Sequence, residues 1–158
     1  MYFDPKSFPK KMKRVFDLAK EINENRDYVN AVQAMSLNSD KPFLGLKGNF
    51  GLYGSKEWWE NIRNGNLKIN RIIGNIQNLI FAGQDSRWGH EINSFTLRLE
   101  NGKTIMESIY AHESDDWKLF QIGSTVAVSY ILDEFKPKPK SNSAVNYSEI
   151  VLEMMISV

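Results

Sequence analysis

A chain of 158 residues with 42% hydrophobic and 25% charged side chains can fold as one domain around a sizeable core, and its composition is that of a globular protein. It has no cysteine and only two histidines, His90 and His112, which excludes disulfides, thiolate nucleophiles and Cys-ligated zinc and leaves little for a polyhistidine metal centre. The formal net charge of +1 divides unevenly: residues 1–65 carry 11 Lys/Arg against 8 Asp/Glu and residues 66–158 carry 9 against 11, so neither part is basic enough to imply nucleic acid by charge alone.

No apolar run approaches the roughly 20 residues that span a bilayer. Met1–Lys20 is charged throughout, unlike a signal peptide. A cytoplasmic protein without a membrane partner is the expectation. Ser7 to Asn25 reads as a helix, with Ser7 as cap, Pro9 in the first turn, and Phe8, Met12, Val15, Phe16, Ala19 and Ile22 at helical spacing. Lys10, Lys11, Lys13 and Arg14 form a basic run early in it, read as a solvated face or a patch for an anionic partner. Tyr28 to Leu37 fits both periods, and Ala31, Gln33 and Ala34 tilt it towards helix.

Phe43 to Gly54 places glycine at every third position, Gly45, Gly48, Gly51 and Gly54, among Phe43, Leu44, Leu46, Phe50, Leu52 and Tyr53. That spacing is not a phosphate-binding loop, and it reads as an irregular segment packed by its own aromatics. Ser55 to Asn64 is a short helix: Ser55 caps it, Glu57 suits its first turn, and Gly65 stops it. Trp58 and Trp59 sit about 100° apart on such a helix, so one faces the core and the other the Gly-rich segment or a partner.

From Leu67 the period becomes that of strands. Leu67, Ile69 and Ile73 fall on odd positions and Ile76, Ile80 and Ala82 on even ones, which places a β-bulge at Gly74. A polar loop, Gly83 to His90, carries Arg87, Trp88 and His90. Asn101-Gly102 between Phe95-Thr96-Leu97-Arg98-Leu99 and Thr104 to Tyr110 is a hairpin signal. A two-residue turn sets Leu97 opposite Met106 and Thr96 opposite Glu107, whereas a three-residue turn with Gly102 in a bulge shifts that register.

Ala111 to Gly123 reads as a connection with a helical turn at Ser114-Asp115-Asp116 and with Trp117, Phe120 and Ile122 inward. Val126, Val128, Tyr130 and Leu132 alternate in the next strand, Phe135 to Ser143 is an extended Pro/Lys loop, and Ile150, Leu152, Met154 and Ile156 alternate in the last strand. Val151 and Met155 make that strand apolar on both sides, for burial against the N-terminal helix or for homo-oligomerisation.

This strand order over residues 67–158 resembles the OB-fold, a five-stranded Greek-key barrel. The expectation is an α+β chain: an N-terminal helical and Gly-rich lobe over residues 1–65, packed on an OB-like barrel or strongly bent sheet over 66–158. The resemblance puts ligands on the loops at 83–90 and 134–146. Stacking aromatics beside cations are what single-stranded nucleic acid needs, and Trp88, Tyr110, Arg87, Lys136, Lys138 and Lys140 are the candidates. About four phosphate contacts give a log–log salt slope of only about −2.8, which makes a weak binder.

Catalytic signatures are missing. His112 beside Glu113, Asp115 and Asp116 lacks a nucleophile, and His90, Asp85 and Glu91 lack a metal spacing. No catalytic residue, cofactor or metal is expected. The best-fitting reading is a non-enzymatic protein-binding module whose surface draws on Trp58, Trp59, Arg87, Trp88, His90, Tyr110, Lys136, Lys138 and Lys140. Single-stranded nucleic-acid binding is the alternative. An immunity-type protein neutralising one specific partner is another, which the sequence does not separate from the first.

Overall fold

The computed structural model describes residues 1–81, 92–139 and 145–158. In chain order the elements are β1 (Met12–Asp17), α1 (Leu18–Glu24), α2 (Arg26–Leu37), α3 (Lys56–Arg63), β2 (Asn70–Ile80), β3 (Ser94–Leu99), β4 (Thr104–Ser108), β5 (Thr125–Glu134) and β6 (Tyr147–Ser157), with 3-10 turns at Pro5–Ser7 and Ser114–Leu119. The six strands form one antiparallel sheet in the order β1-β6-β5-β2-β3-β4.

The fold is α+β with an open sheet of six strands, not a closed five-stranded barrel. Closing β2–β6 into a five-stranded barrel would require β4 to pair with the outer edge of β6, and β1 already occupies that edge. The chain divides into two compact units, one of Met1–Asp17, Arg71–Ser129 and Leu152–Val158, the other of Leu18–Asn70 and Tyr130–Val151.

The helix expected over Ser7–Asn25 is a strand followed by the short helix α1. In β1 the register against β6 slips between Arg14 and Phe16, which oppose the consecutive residues Met155 and Met154. Val15 is the extra residue of a bulge, so Val15 and Phe16 both turn inward along with Met12. Apolar residues at positions 12, 15 and 16 therefore imitate the i, i+3, i+4 spacing of a helix.

In the first unit Met12 packs with Phe3, Ala127 and Met155, flanked by Tyr2 and Phe8. Met155 is thus covered by β1 and the segment preceding it rather than by a helix. The carboxylate of Glu153 accepts the backbone N–H groups of Tyr2 and Phe3, each at 3.2 Å, and faces the Arg14 guanidinium at 3.4 Å. A buried carboxylate held this way costs little of the desolvation that an unpaired one would.

The remaining core of this unit lies under β2, β3 and β4, where Ile76, Phe95, Leu97, Phe120 and Val126 are buried and the rings of Phe95 and Phe120 lie 5.6 Å apart. Trp117 is half-buried, and Ile122 points out to solvent. The β2 irregularity falls between Ile76 and Asn78 rather than at Gly74. Gly74 answers a different need: a Cβ there would sit 2.4 Å from the Arg98 carbonyl oxygen on β3.

The hairpin follows the three-residue alternative. Leu99 N–H donates to Lys103 O at 2.8 Å, Gly102 N–H donates to Leu99 O, and Gly102 has φ +84°. Leu97 opposes Ile105, Thr96 opposes Met106, and Phe95 opposes Glu107.

In the second unit α2 forms as a helix, and the Ser55 hydroxyl caps α3 by accepting Trp58 N–H at 3.2 Å. Gly51, with φ +99°, lies so close beneath α3 that a Cβ would reach Trp58 N at 2.9 Å, so only glycine fits between that loop and that helix. In β5 the inward positions past Ser129 are Ile131 and Asp133, while Leu132 is 43% exposed, reversing the alternation expected of Tyr130 and Leu132.

Candidate interaction surfaces

The tryptophan pair belongs to the second unit. Trp58 is wholly enclosed, its ring 5.2 Å from Tyr53 and 4.9 Å from Trp59, and Tyr28 meets Tyr53 edge-on at 6.3 Å. An indole N–H in such a place needs an acceptor, and Trp58 Nε1 donates to Asp133 Oδ2 at 3.0 Å. Asp133 is 1% exposed and also accepts Glu134 N–H at 3.0 Å. Burial pushes its carboxyl above the ordinary carboxylate range, while the Trp58 and Glu134 donors pull it back. Trp58 is therefore a packing residue, and Trp59, half-buried, is the member of the pair that reaches the surface.

Lys136 is fixed rather than free. Its Nζ donates to the carbonyl oxygens of Met35 at 2.7 Å, Lys41 at 3.0 Å and Asn38 at 3.3 Å, and its backbone N–H donates to Gly45 O. A cation on the last carbonyls of α2 also suits the negative end of the helix dipole. Leu46 bridges Phe135 alongside, so the chain leaving β5 starts as a short antiparallel contact. Lys138 is exposed. Arg87, Trp88, His90 and Lys140 lie outside the described residues.

Tyr110 belongs to the first unit, its ring 5.2 Å from Phe16. His112 stacks on the same Phe16 at 5.0 Å, and its Nε2 lies 3.0 Å from the Asp17 N–H. The acids beside it are turned to lysines: Asp116 pairs with Lys13 at 2.6 Å and Asp115 with Lys118 at 3.6 Å. That segment fastens β1. Among the described residues no group of three or more His, Asp or Glu could hold a metal ion.

The hairpin register changes what faces outward. Glu107, expected beside Thr96 on the outer surface, turns in beneath Phe95, and Met106 stands out at 61% exposure. Around it the outer surface is polar: Thr104 Oγ1 donates to Gln77 Oε1 at 3.2 Å, and Thr125 Oγ1 donates to Asn75 Oδ1 at 2.9 Å. A shallow hollow of about 470 Å³ opens near the hairpin tip between Arg71, Ile72, Ile73, Leu99, Glu100 and Asn101. Sequence reasoning missed Asp133, hidden in an apolar alternation, and Met106, whose facing depends on one residue of loop length.

The aromatic cluster around Trp58, the buried Asp133 and the His112 ring are all taken up in internal packing, and β4 forms one edge of the sheet. The model of the family described as immunity protein RhsI2 matches residues 12–157, and the chain belongs to that family. No curated protein matches the sequence.

Proposed function

We propose that this chain is an immunity protein that binds one protein toxin and neutralises it by occupying its surface, without chemistry of its own. The family match over residues 12–157 carries the reading. It is supported by an outer surface rich in Asn, Gln and Thr around Met106, the kind of polar rim with an apolar contact that protein partners use. The engagement of Lys136 with three carbonyls removes one of the groups that a nucleic-acid reading needed.

The direct experiment is co-expression with candidate toxin domains from the same genome. Growth should be restored, and the two purified proteins should form a stoichiometric complex by calorimetry. Growth arrest despite soluble, folded chain, with no complex, would overturn the reading.

A further inference from the structure

We propose that the outer edge of β4 receives an extended segment of the toxin, which adds to the sheet as a seventh strand. This rests on the toxin-binding reading above and assigns the surface that does the binding. The argument starts from which backbone groups point where. Residue pairs 99/103 and 93/109 are hydrogen-bonded across the hairpin. Hydrogen-bonded pairs alternate with non-bonded ones along an antiparallel ladder, so 97/105 and 95/107 are bonded too. Thr104, Met106 and Ser108 therefore turn their N–H and C=O groups away from β3. Among the described residues no other segment takes those groups.

The two edges of the sheet are treated differently. β1 carries the protections that natural edges use: a bulge at Val15, the charges of Lys13 and Arg14, and a cover in which His112 N–H donates to Val15 O at 2.9 Å and the His112 ring meets the Asp17 N–H. β4 has no proline, lysine or bulge within Thr104–Ser108. Its protections are its shortness and the inward Glu107. It also presents Met106 to solvent, an apolar side chain that a strand laid alongside would cover.

Edge backbone of this kind recognises extended peptide, with specificity supplied by alternate side chains. The matching segment carries an apolar residue beside Met106. A second copy of this chain fits less well. Five residues of strand extend only about 17 Å, and two such edges together bury far less than the roughly 1,000 Å² of a stable interface. A toxin can add contacts on either side of its strand.

The test uses the full chain, labelled for amide exchange, and a non-toxic variant of the toxin domain that the co-expression experiment identifies. In the free chain the Thr104, Met106 and Ser108 amides should exchange fast and those of Ile105 and Glu107 slowly. In the complex the first three should slow at least tenfold. Met106→Pro removes an outward N–H and the exposed apolar side chain but no bond to β3, so the β3–β4 ladder should survive with little change in Tm, while toxin Kd rises at least tenfold. Should that variant fail to fold, Met106→Lys is the substitute, with the same expected loss.

Unchanged affinity in a folded variant, or no protection of the three amides, overturns the proposal. So does protection in the chain alone that grows with its concentration, which would make the occupant a second copy. Failure of the unaltered chain to bind the toxin instead defeats the toxin reading, and this proposal with it.

Discussion

Trp58→Phe isolates the bond on which the second unit's core depends. The substitution keeps a ring beside Tyr53 and Trp59 but removes the indole N–H that Asp133 accepts at 3.0 Å. A hydrogen bond to a charged group contributes about 1.5–3 kcal/mol, and the smaller ring leaves a void that adds to the loss, for a total of about 3 kcal/mol. With a urea slope of about 2 kcal/mol per molar, the midpoint should fall by about 1.5 M.

The loss must also depend on pH. Burial raises the Asp133 carboxyl, and the Trp58 donor lowers it, so the native state holds this proton more tightly than the unfolded chain does. Stability from this group is therefore full at low pH and falls as pH rises through the folded value. Removing Trp58 raises the carboxyl further, so the variant should lose more at pH 7 than at pH 4. In Asp133→Asn the pH dependence should flatten and the Trp58→Phe effect should shrink. Equal losses at both pH values, or additive effects of the two substitutions, would refute the reasoning. Toxin affinity should stay near its original value at temperatures where the variant is folded.

Gly74→Ala should destabilise by about 3 kcal/mol, the upper part of the range for overpacking, because its Cβ would meet the Arg98 carbonyl at 2.4 Å; thermal melting checks this, and a loss below about 0.5 kcal/mol would contradict the close approach. Lys136→Met should cost about 1.5 kcal/mol through the carbonyls of Met35, Asn38 and Lys41. It should also speed amide exchange at the Asn38–Gly45 turn, while retention of wild-type exchange there would show that the ammonium does not hold it.

The elements that were legible in the sequence are those whose signals are local. Ser55, Glu57 and Gly65 marked α3 because caps and stops act within one turn, and Asn101-Gly102 marked the hairpin. Its register was open because Gly102 can serve a two- or a three-residue loop, and one residue moves Met106 and Glu107 to opposite faces. β1 imitates a helix in the sequence because its bulge spaces Met12, Val15 and Phe16 as a helix would. With the first strand taken for a helix, the remaining five suggested closure, and the strand that blocks it was missing. Asp133 was hidden for another reason: nothing in Val126, Val128, Tyr130 and Leu132 announces an acid that enters the core two residues after Ile131.

The grip of Glu153 on Tyr2 joins positions 151 residues apart. At roughly 5–20 residues per second, ribosomes need about 8–30 s to cover that distance. Throughout that interval β1 waits without the strand that pairs with it. Lys10, Lys11, Lys13 and Arg14 then act as gatekeepers, charges that keep a waiting apolar strand in solution and out of foreign sheets. The basic run, read as a solvated face or a patch for an anionic partner, has its clearest use before the fold is complete, which comes only when β6 arrives to claim β1.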